Sequence, residues 1–123
     1  MIETPHVMKA IAGLCLFAAL STAAPTVEFN RDIRPILSDR CFSCHGPDAA
    51  TRKIKLRLDS EAGMTSDLGG HRAVIAGAPD QSELVKRITS DNKALRMPPV
   101  YSGVKLTDRE VELLKTWVAQ GAK

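Results

Sequence analysis

Residues 41–45 read Cys-Phe-Ser-Cys-His, an uninterrupted C-x-x-C-H motif, and no other segment of the chain has such well-defined chemistry. Cys41 and Cys44 can each add a thiol to one vinyl group of a haem and hold it through thioethers. His45, directly after them, is placed to bind the iron from one side. Because a covalently held haem stays attached when its iron changes charge, the motif indicates one-electron chemistry.

Three other sites use a C-x-x-C pair. A thioredoxin-like dithiol needs a βαβ setting with strands rich in Val and Ile, whereas the flanks here are polar and basic. A zinc site would have to combine Cys41, Cys44, His45 and His71, since Cys15 is the only other cysteine, and adjacent residues make a poor tetrahedral pair. A structural disulfide is the third alternative. The adjacent histidine favours haem attachment over all three.

Residues 1–24 are typical of a secretory signal peptide. A polar start ends at Lys9, an apolar run spans 10–20, and 21–24 offers small side chains before Pro25. The run is shorter than the roughly 20 apolar residues that a membrane-spanning helix needs, so membrane association is expected only if this segment stays uncleaved. Residues 25–123 then form a single small domain, exported to the periplasm or cell envelope.

Charge and repeats narrow the range of partners and cofactors. The formal net charge is +3 at pH 7, which is too small a bias to predict nucleic-acid binding, and no nucleic-acid motif accompanies it. A single C-x-x-C-H in a chain without internal repeats predicts one haem. A domain of this size buries a limited core, so the flat apolar surface of a haem would give it something to pack against.

Apolar residues recur at helical spacing in three segments, and each pattern predicts one helix face: Phe29, Ile33, Ile36 and Leu37; Leu84, Val85 and Ile88; Val111, Leu114, Trp117 and Val118. Asp80 with Glu83, and Thr107 with Glu110, resemble capping boxes that start the second and third helices. The alternating segment 52–59 has no partner strand and is expected to be extended. We therefore predict an all-α fold of three to five short helices with long loops, wrapped around the haem.

The second axial position of the iron needs another donor or stays open. Met97 is the main candidate, because Pro98 and Pro99 fix the backbone after it and would present a weak thioether donor at low entropic cost. Met64 follows a glycine in a short turn and is interpreted as a packing residue. His71 lies beside two glycines in a polar stretch, where a surface histidine is expected, and it is the fallback ligand if Met97 does not bind.

Taken in order, these segments resemble the planctomycete-type cytochrome c domain, a class I-like c-type cytochrome. The resemblance rests on the stretch from Val27 through the C-x-x-C-H motif, then KLRLD, SELVKRI and RMPP, and finally LTDREVELLKTWVAQGA. It implies thioethers at Cys41 and Cys44, His45 as the proximal ligand, and Met97 as the distal ligand. It also implies a cytochrome c-like helical fold, with the first and last helices in contact.

The function that follows is electron transfer in the cell envelope by a monohaem c-type cytochrome, with haem c as cofactor and unidentified redox donor and acceptor proteins as partners. No catalytic residues are predicted, so the chain is expected to be an electron carrier and not an enzyme. A haem-based sensor or binder of small gases is the alternative, followed by a thiol-disulfide oxidoreductase. Such domains commonly begin longer exported proteins, so a free-standing carrier and a fragment both stay open.

Overall fold

The computed structural model describes residues 18–123, which fold into short helices joined by loops. The α-helices are α1 (Arg34–Arg40), α2 (Phe42–His45), α3 (Glu61–Thr65), α4 (Glu83–Ile88) and α5 (Asp108–Ala119). A π-helical turn, Phe29–Ile33, leads into α1, and 3-10 turns occupy Pro79–Gln81 and Val100–Ser102. Residues 18–123 contain no strand, which confirms the all-α class, and the segment 52–59 is irregular.

The predicted signal peptide lies largely outside the described residues and stays a prediction. Within 18–123, no helix is both long and apolar enough to cross a bilayer.

The core lies where the two ends of the domain meet. Ile33 and Leu37 from the first helical segment and Leu114 and Val118 from α5 are completely buried. The rings of Phe29 and Trp117 pack at a tilt, with centroids 5.5 Å apart, and the expected contact between the first and last helices is thus confirmed. All three predicted helix faces point into this core, and the buried side chains of α4 join it.

Pro35 does not disturb the first helix because it occupies the second residue of α1. The Arg34 N–H just before it donates to the Phe29 carbonyl of the π-helical turn, so the missing N–H of Pro35 interrupts the helical hydrogen bonding at one position only. Helical hydrogen bonding therefore continues to the end of α1, where the Cys41 N–H still donates to the Leu37 carbonyl at 2.9 Å.

The predicted cap at Asp80 is wrong. Asp80 lies in the 3-10 turn before α4, and Ser82 occupies the N-cap position without capping the helix by its side chain. The buried Ser82 hydroxyl instead accepts from the Ile75 N–H and donates to the Ala78 carbonyl, each at 2.9 Å. Glu83 does not reach back either, because its carboxylate pairs with Arg87 at 2.8 Å.

The capping box at Thr107 is confirmed. Its hydroxyl accepts from the Glu110 N–H at 3.2 Å, and the Glu110 carboxylate accepts from the Thr107 N–H at 2.8 Å. Gly121, with φ of 107°, follows the end of α5 in the left-handed region, where a residue without Cβ is favoured.

Replacing Thr107 with alanine is expected to lower the free energy of unfolding by about 1 kcal/mol, because an N–H at the start of α5 loses its acceptor. Urea unfolding followed by circular dichroism measures this. Thr26→Ala, on the exposed segment before the first helical turn, is the control and should change stability by less than about 0.5 kcal/mol. Equal midpoints for the two variants would contradict a stabilising cap.

Candidate haem-binding site

The C-x-x-C-H motif straddles the junction between α1 and α2. Cys41 breaks the α geometry with φ of −127°, and Cys44 and His45 then form the end of α2. The His45 N–H donates to the Cys41 carbonyl at 2.8 Å and closes the turn that carries both cysteines. Immediately afterwards the chain passes very close to its own backbone. A Cβ at Gly46 would lie 2.3 Å from the Phe42 carbonyl oxygen, so only glycine fits this exit.

The irregular segment after the motif folds back over it. The Lys53 N–H donates to the Cys44 carbonyl at 3.1 Å, and the Leu58 N–H donates to the His45 carbonyl at 2.7 Å. The last carbonyls of α2 therefore have partners, which a helix end inside a protein requires. Leu58 is buried in the core, whereas Ile54 stays exposed. The segment 52–59, which was predicted to be extended, thus lies over the motif and is hydrogen-bonded to it.

One cavity of about 370 Å³ brings the sequence candidates together. This volume lies in the range of roughly 300–1,000 Å³ that is usual for cofactor and small-molecule sites. Cys41, Cys44, His45, Met97 and His71 all contribute to its wall. Much of the remaining wall is apolar and comes from Leu56, Leu58, Leu68, Ala73, Leu84 and Ile88. Such a wall suits a flat apolar group better than a hydrated ion.

The environment of His45 fits a ligand that is not part of the polypeptide. Its Nδ1 is buried and has no hydrogen-bond partner among the described residues. Burial lowers the pKa of the imidazole, and the nearby Leu56 carbonyl only partly opposes this shift, without forming a full hydrogen bond to Nδ1. A neutral imidazole is the form that binds metal ions. An unpaired polar atom in a protein interior is uncommon and calls for an explanation, and a group completing the site supplies one.

The thiol of Cys41 is held in its protonated form. Burial, with smaller contributions from Glu110 and Cys44, raises its pKa to about 12. Glu110 is close because its carboxylate accepts from Arg40 at 3.3 Å, which ties α5 to the end of α1. A dithiol oxidoreductase instead needs a thiolate stabilised near neutral pH. The environment of Cys41 therefore disfavours that alternative.

Without haem, Cys41 is expected to alkylate slowly. At pH 8 a pKa of about 12 leaves a thiolate fraction on the order of 10⁻⁴, and the thiolate is the reactive species. Iodoacetamide labelling of a haem-free Cys44→Ala variant, followed by mass spectrometry, measures the rate, which should keep rising well above pH 9. A rate that reaches half of its maximum near pH 8.5, as for an ordinary cysteine, would contradict a buried thiol.

The Met97 segment reaches the cavity from the far part of the sequence. The Met97 N–H donates to the Arg87 carbonyl at 3.1 Å, which joins this segment to α4. The Met97–Pro98 peptide bond is cis, and Pro99 continues in an extended conformation. Met64, in contrast, is buried in the core and does not contribute to the cavity wall, so its interpretation as a packing residue is confirmed.

His71 is exposed, as expected for a surface histidine, yet it contributes to the cavity wall. Its carbonyl accepts from the Leu68 N–H at 2.8 Å, which closes the glycine-containing loop before it. The zinc alternative fails in this part of the chain. The described residues contain no group of three or more His, Cys, Asp or Glu side chains arranged to hold a metal ion together. Cys41 and Cys44 are not joined by a disulfide in this structure.

Sequence reasoning missed several polar residues of the cavity wall: Arg40, Lys53, Glu83, Arg87 and Tyr101. The spacing of Glu83 and Arg87 by four residues is a recognisable signal for an ion pair on a helix, although not for its position. Lys55 and Arg57 are two basic residues of the segment that folds back over the motif. Neither contributes to the wall, and Arg57 donates to Asp59 at 2.9 Å.

Comparison with known proteins supports the resemblance to a c-type cytochrome domain. Residues 41–100 match the family described as Planctomycete cytochrome C, a segment that begins at the first motif cysteine and extends just past the prolines after Met97. No curated protein and no solved structure matched the chain. The family match confirms, over residues 41–100, the resemblance found in the sequence.

Proposed function

We propose that this protein is a monohaem c-type cytochrome that carries single electrons in the cell envelope. In this proposal Cys41 and Cys44 hold haem c through thioethers, His45 is the proximal ligand and Met97 is the distal ligand. One observation carries the proposal: the C-x-x-C-H motif and Met97, far apart in sequence, line the same largely apolar cavity.

Each residue has a defined task in this site. A bound haem would supply the one-electron ferric–ferrous couple. The two cysteines keep the cofactor attached in both oxidation states. His45, neutral because burial lowers its pKa, offers a ring nitrogen lone pair. Met97 offers a soft thioether sulfur, which favours the reduced iron and raises the reduction potential above that of a bis-histidine site.

Electron transfer requires no general acid, base or nucleophile in the site. With His45 and Met97 both bound, no position would remain for a substrate, in line with a carrier and not an enzyme. The partners are then redox donor and acceptor proteins. Location in the periplasm or cell envelope rests on the signal-like pattern of residues 1–24.

Expression in a host that matures c-type cytochromes tests the proposal. We expect the mass of the purified protein to exceed that of the polypeptide by one haem, and the haem to stay with the chain on a denaturing gel. The reduced protein should show sharp c-type α and β absorption bands. An unmodified mass from such a host would refute the proposal, and detection of free thiols in the mature protein would favour the dithiol oxidoreductase.

A gas-binding haem protein is the second candidate, and a second cavity favours it. This space of about 240 Å³ also has Met97, Pro98 and Ile88 in its wall, so Met97 borders two cavities, and its side chain would have space to move away from a bound haem. Carbon monoxide added to the ferrous protein separates the candidates. Rapid and complete binding would favour a gas binder, whereas slow or partial binding is expected of a carrier.

A further inference from the structure

We infer that Arg87 is a positioning residue for Met97. It fastens the segment 95–97 to α4 and so determines how firmly the Met97 side chain is held in the cavity. The inference rests on the proposed function, in which Met97 is an iron ligand, and it assigns to Arg87 the task of limiting how readily that ligand leaves.

Arg87 forms two hydrogen bonds with the segment 95–97. Its backbone carbonyl accepts from the Met97 N–H at 3.1 Å. Its guanidinium Nη1 donates to the Leu95 carbonyl at 3.3 Å. One residue of α4 therefore holds positions 95 and 97 together, and both Arg87 and Met97 line the cavity. The two bonds flank Arg96, so this short stretch cannot slide along α4 without breaking one of them.

Arg87 is itself held in place. Its Nε donates to the Glu83 carboxylate one helical turn earlier at 2.8 Å, and both side chains are partly buried. This hydrogen bond is the main reason why the pKa of Glu83 is lowered. Leu84, Val85 and Ile88 of the same helix are buried in the core. The guanidinium is thus anchored through a helix that is itself fixed by the core.

The residues after Met97 offer little alternative support. Pro98 and Pro99 have no N–H, so neither can donate a backbone hydrogen bond that would tie this side of Met97 to the protein. Before Met97, the N–H groups of Leu95 and Arg96 both donate to the Asn92 carbonyl, which forms a local turn without fixing that turn to a helix. Attachment of the Met97 segment to the core therefore depends on Arg87.

Arg87→Ala in the haem-loaded protein tests this assignment. The variant loses the bond to Leu95 and keeps the backbone bond to Met97. We expect carbon monoxide to bind the ferrous protein about threefold to tenfold faster, as the loss of one hydrogen bond predicts. The oxidised protein should have a charge-transfer band at the red end of its spectrum that reports the Met97 sulfur on the iron, and this band should weaken in the variant. The Met97 amide should exchange its hydrogen faster by a similar factor.

Arg87→Lys keeps the charge and a donor, and it should recover part of the lost band. Arg31→Ala is the matched control, because Arg31 also pairs with a neighbouring carboxylate, Asp32, but does not contribute to the cavity wall. Hydrogen exchange of the Leu114 amide in α5 separates local from general loosening and should be unchanged. If Arg87→Ala destabilises the fold, Glu83→Gln replaces it, since that change only weakens the hold on Arg87.

The outcomes separate this inference from the proposed function. If Met97→Ala removes the band while Arg87→Ala leaves the band, the carbon monoxide rate and the Met97 exchange rate at wild-type values, the role of Arg87 is overturned and Met97 stands as ligand. If the band survives Met97→Ala, the ligand assignment fails, and the inference fails with it.

Discussion

Replacing both Cys41 and Cys44 with alanine is expected to abolish covalently bound haem. Each thiol forms one thioether in the proposed site, so without sulfur no covalent bond to the cofactor can form. The purified variant should have the mass of the bare polypeptide and give no haem signal on a denaturing gel. Each single variant should retain one thioether at most and yield less loaded protein.

Ser43→Ala is the matched control, because Ser43 lies between the two cysteines and also lines the cavity. Its hydroxyl makes only a long contact of 3.9 Å to the Cys44 sulfur, so the control should keep its haem. A double-cysteine variant that still carries haem on a denaturing gel would show that the attachment point lies elsewhere. Loss of haem from the Ser43 variant as well would point to a folding defect and not to missing thioethers.

The double variant should also be less stable than the loaded protein. A cofactor that binds only the folded state stabilises it, and here the cofactor would fill a cavity of about 370 Å³ beside a small core. We expect the thermal midpoint of the haem-free protein to be lower by several degrees or more. The comparison requires equal protein concentration and pH for the two forms.

Much of the helical framework could be predicted because its signals are local. The faces of the first, fourth and fifth α-helical segments follow from apolar spacing alone, and the capping box of Thr107 and Glu110 lies within four residues. The failure at Asp80 shows the limit of such patterns. The Ser82 hydroxyl is bonded to Ile75 and Ala78, and the Glu83 carboxylate is bonded to Arg87, so other contacts four to seven residues apart replaced the predicted cap.

The candidate site also has one part that could be predicted from the sequence and one part that could not. Cys41, Cys44 and His45 form a contiguous motif and could be found from sequence, and the Met-Pro-Pro sequence drew attention to Met97. The polar surroundings could not be found, since they depend on contacts between distant residues. The ion pair of Arg40 and Glu110, which are 70 positions apart, is the clearest case. It places a carboxylate near Cys41, and no local pattern around either residue indicates this.

Met97→Ala is expected to lower the reduction potential and open the iron to added ligands. A thioether favours ferrous iron, so its loss favours the ferric form and lowers the reduction potential. The shift should be on the order of 100 mV, within the span of about 0.8 V that axial ligands set. Redox titration measures the potential, and loss of the red-end charge-transfer band of the oxidised protein reports the missing sulfur.

Met64→Ala is the matched control, since Met64 is buried in the core away from the cavity wall. It should lower the free energy of unfolding by about 2–5 kcal/mol, as other large-to-small core changes do. Its charge-transfer band should stay, and its potential should move far less than that of Met97→Ala. Loss of the band in the Met64 variant, with folding intact, would reverse the two assignments.

Survival of the band in Met97→Ala would mean that another sulfur binds the iron. A different result, with no band even in the wild type and a low potential, would instead favour His71, which lines the same cavity. His71→Ala would then open the iron to carbon monoxide, whereas Met97→Ala would not. With Met97 as ligand, the His71 variant should keep the wild-type band because an exposed imidazole on the wall contributes no bond to the metal. The pair of variants therefore decides which donor completes the site.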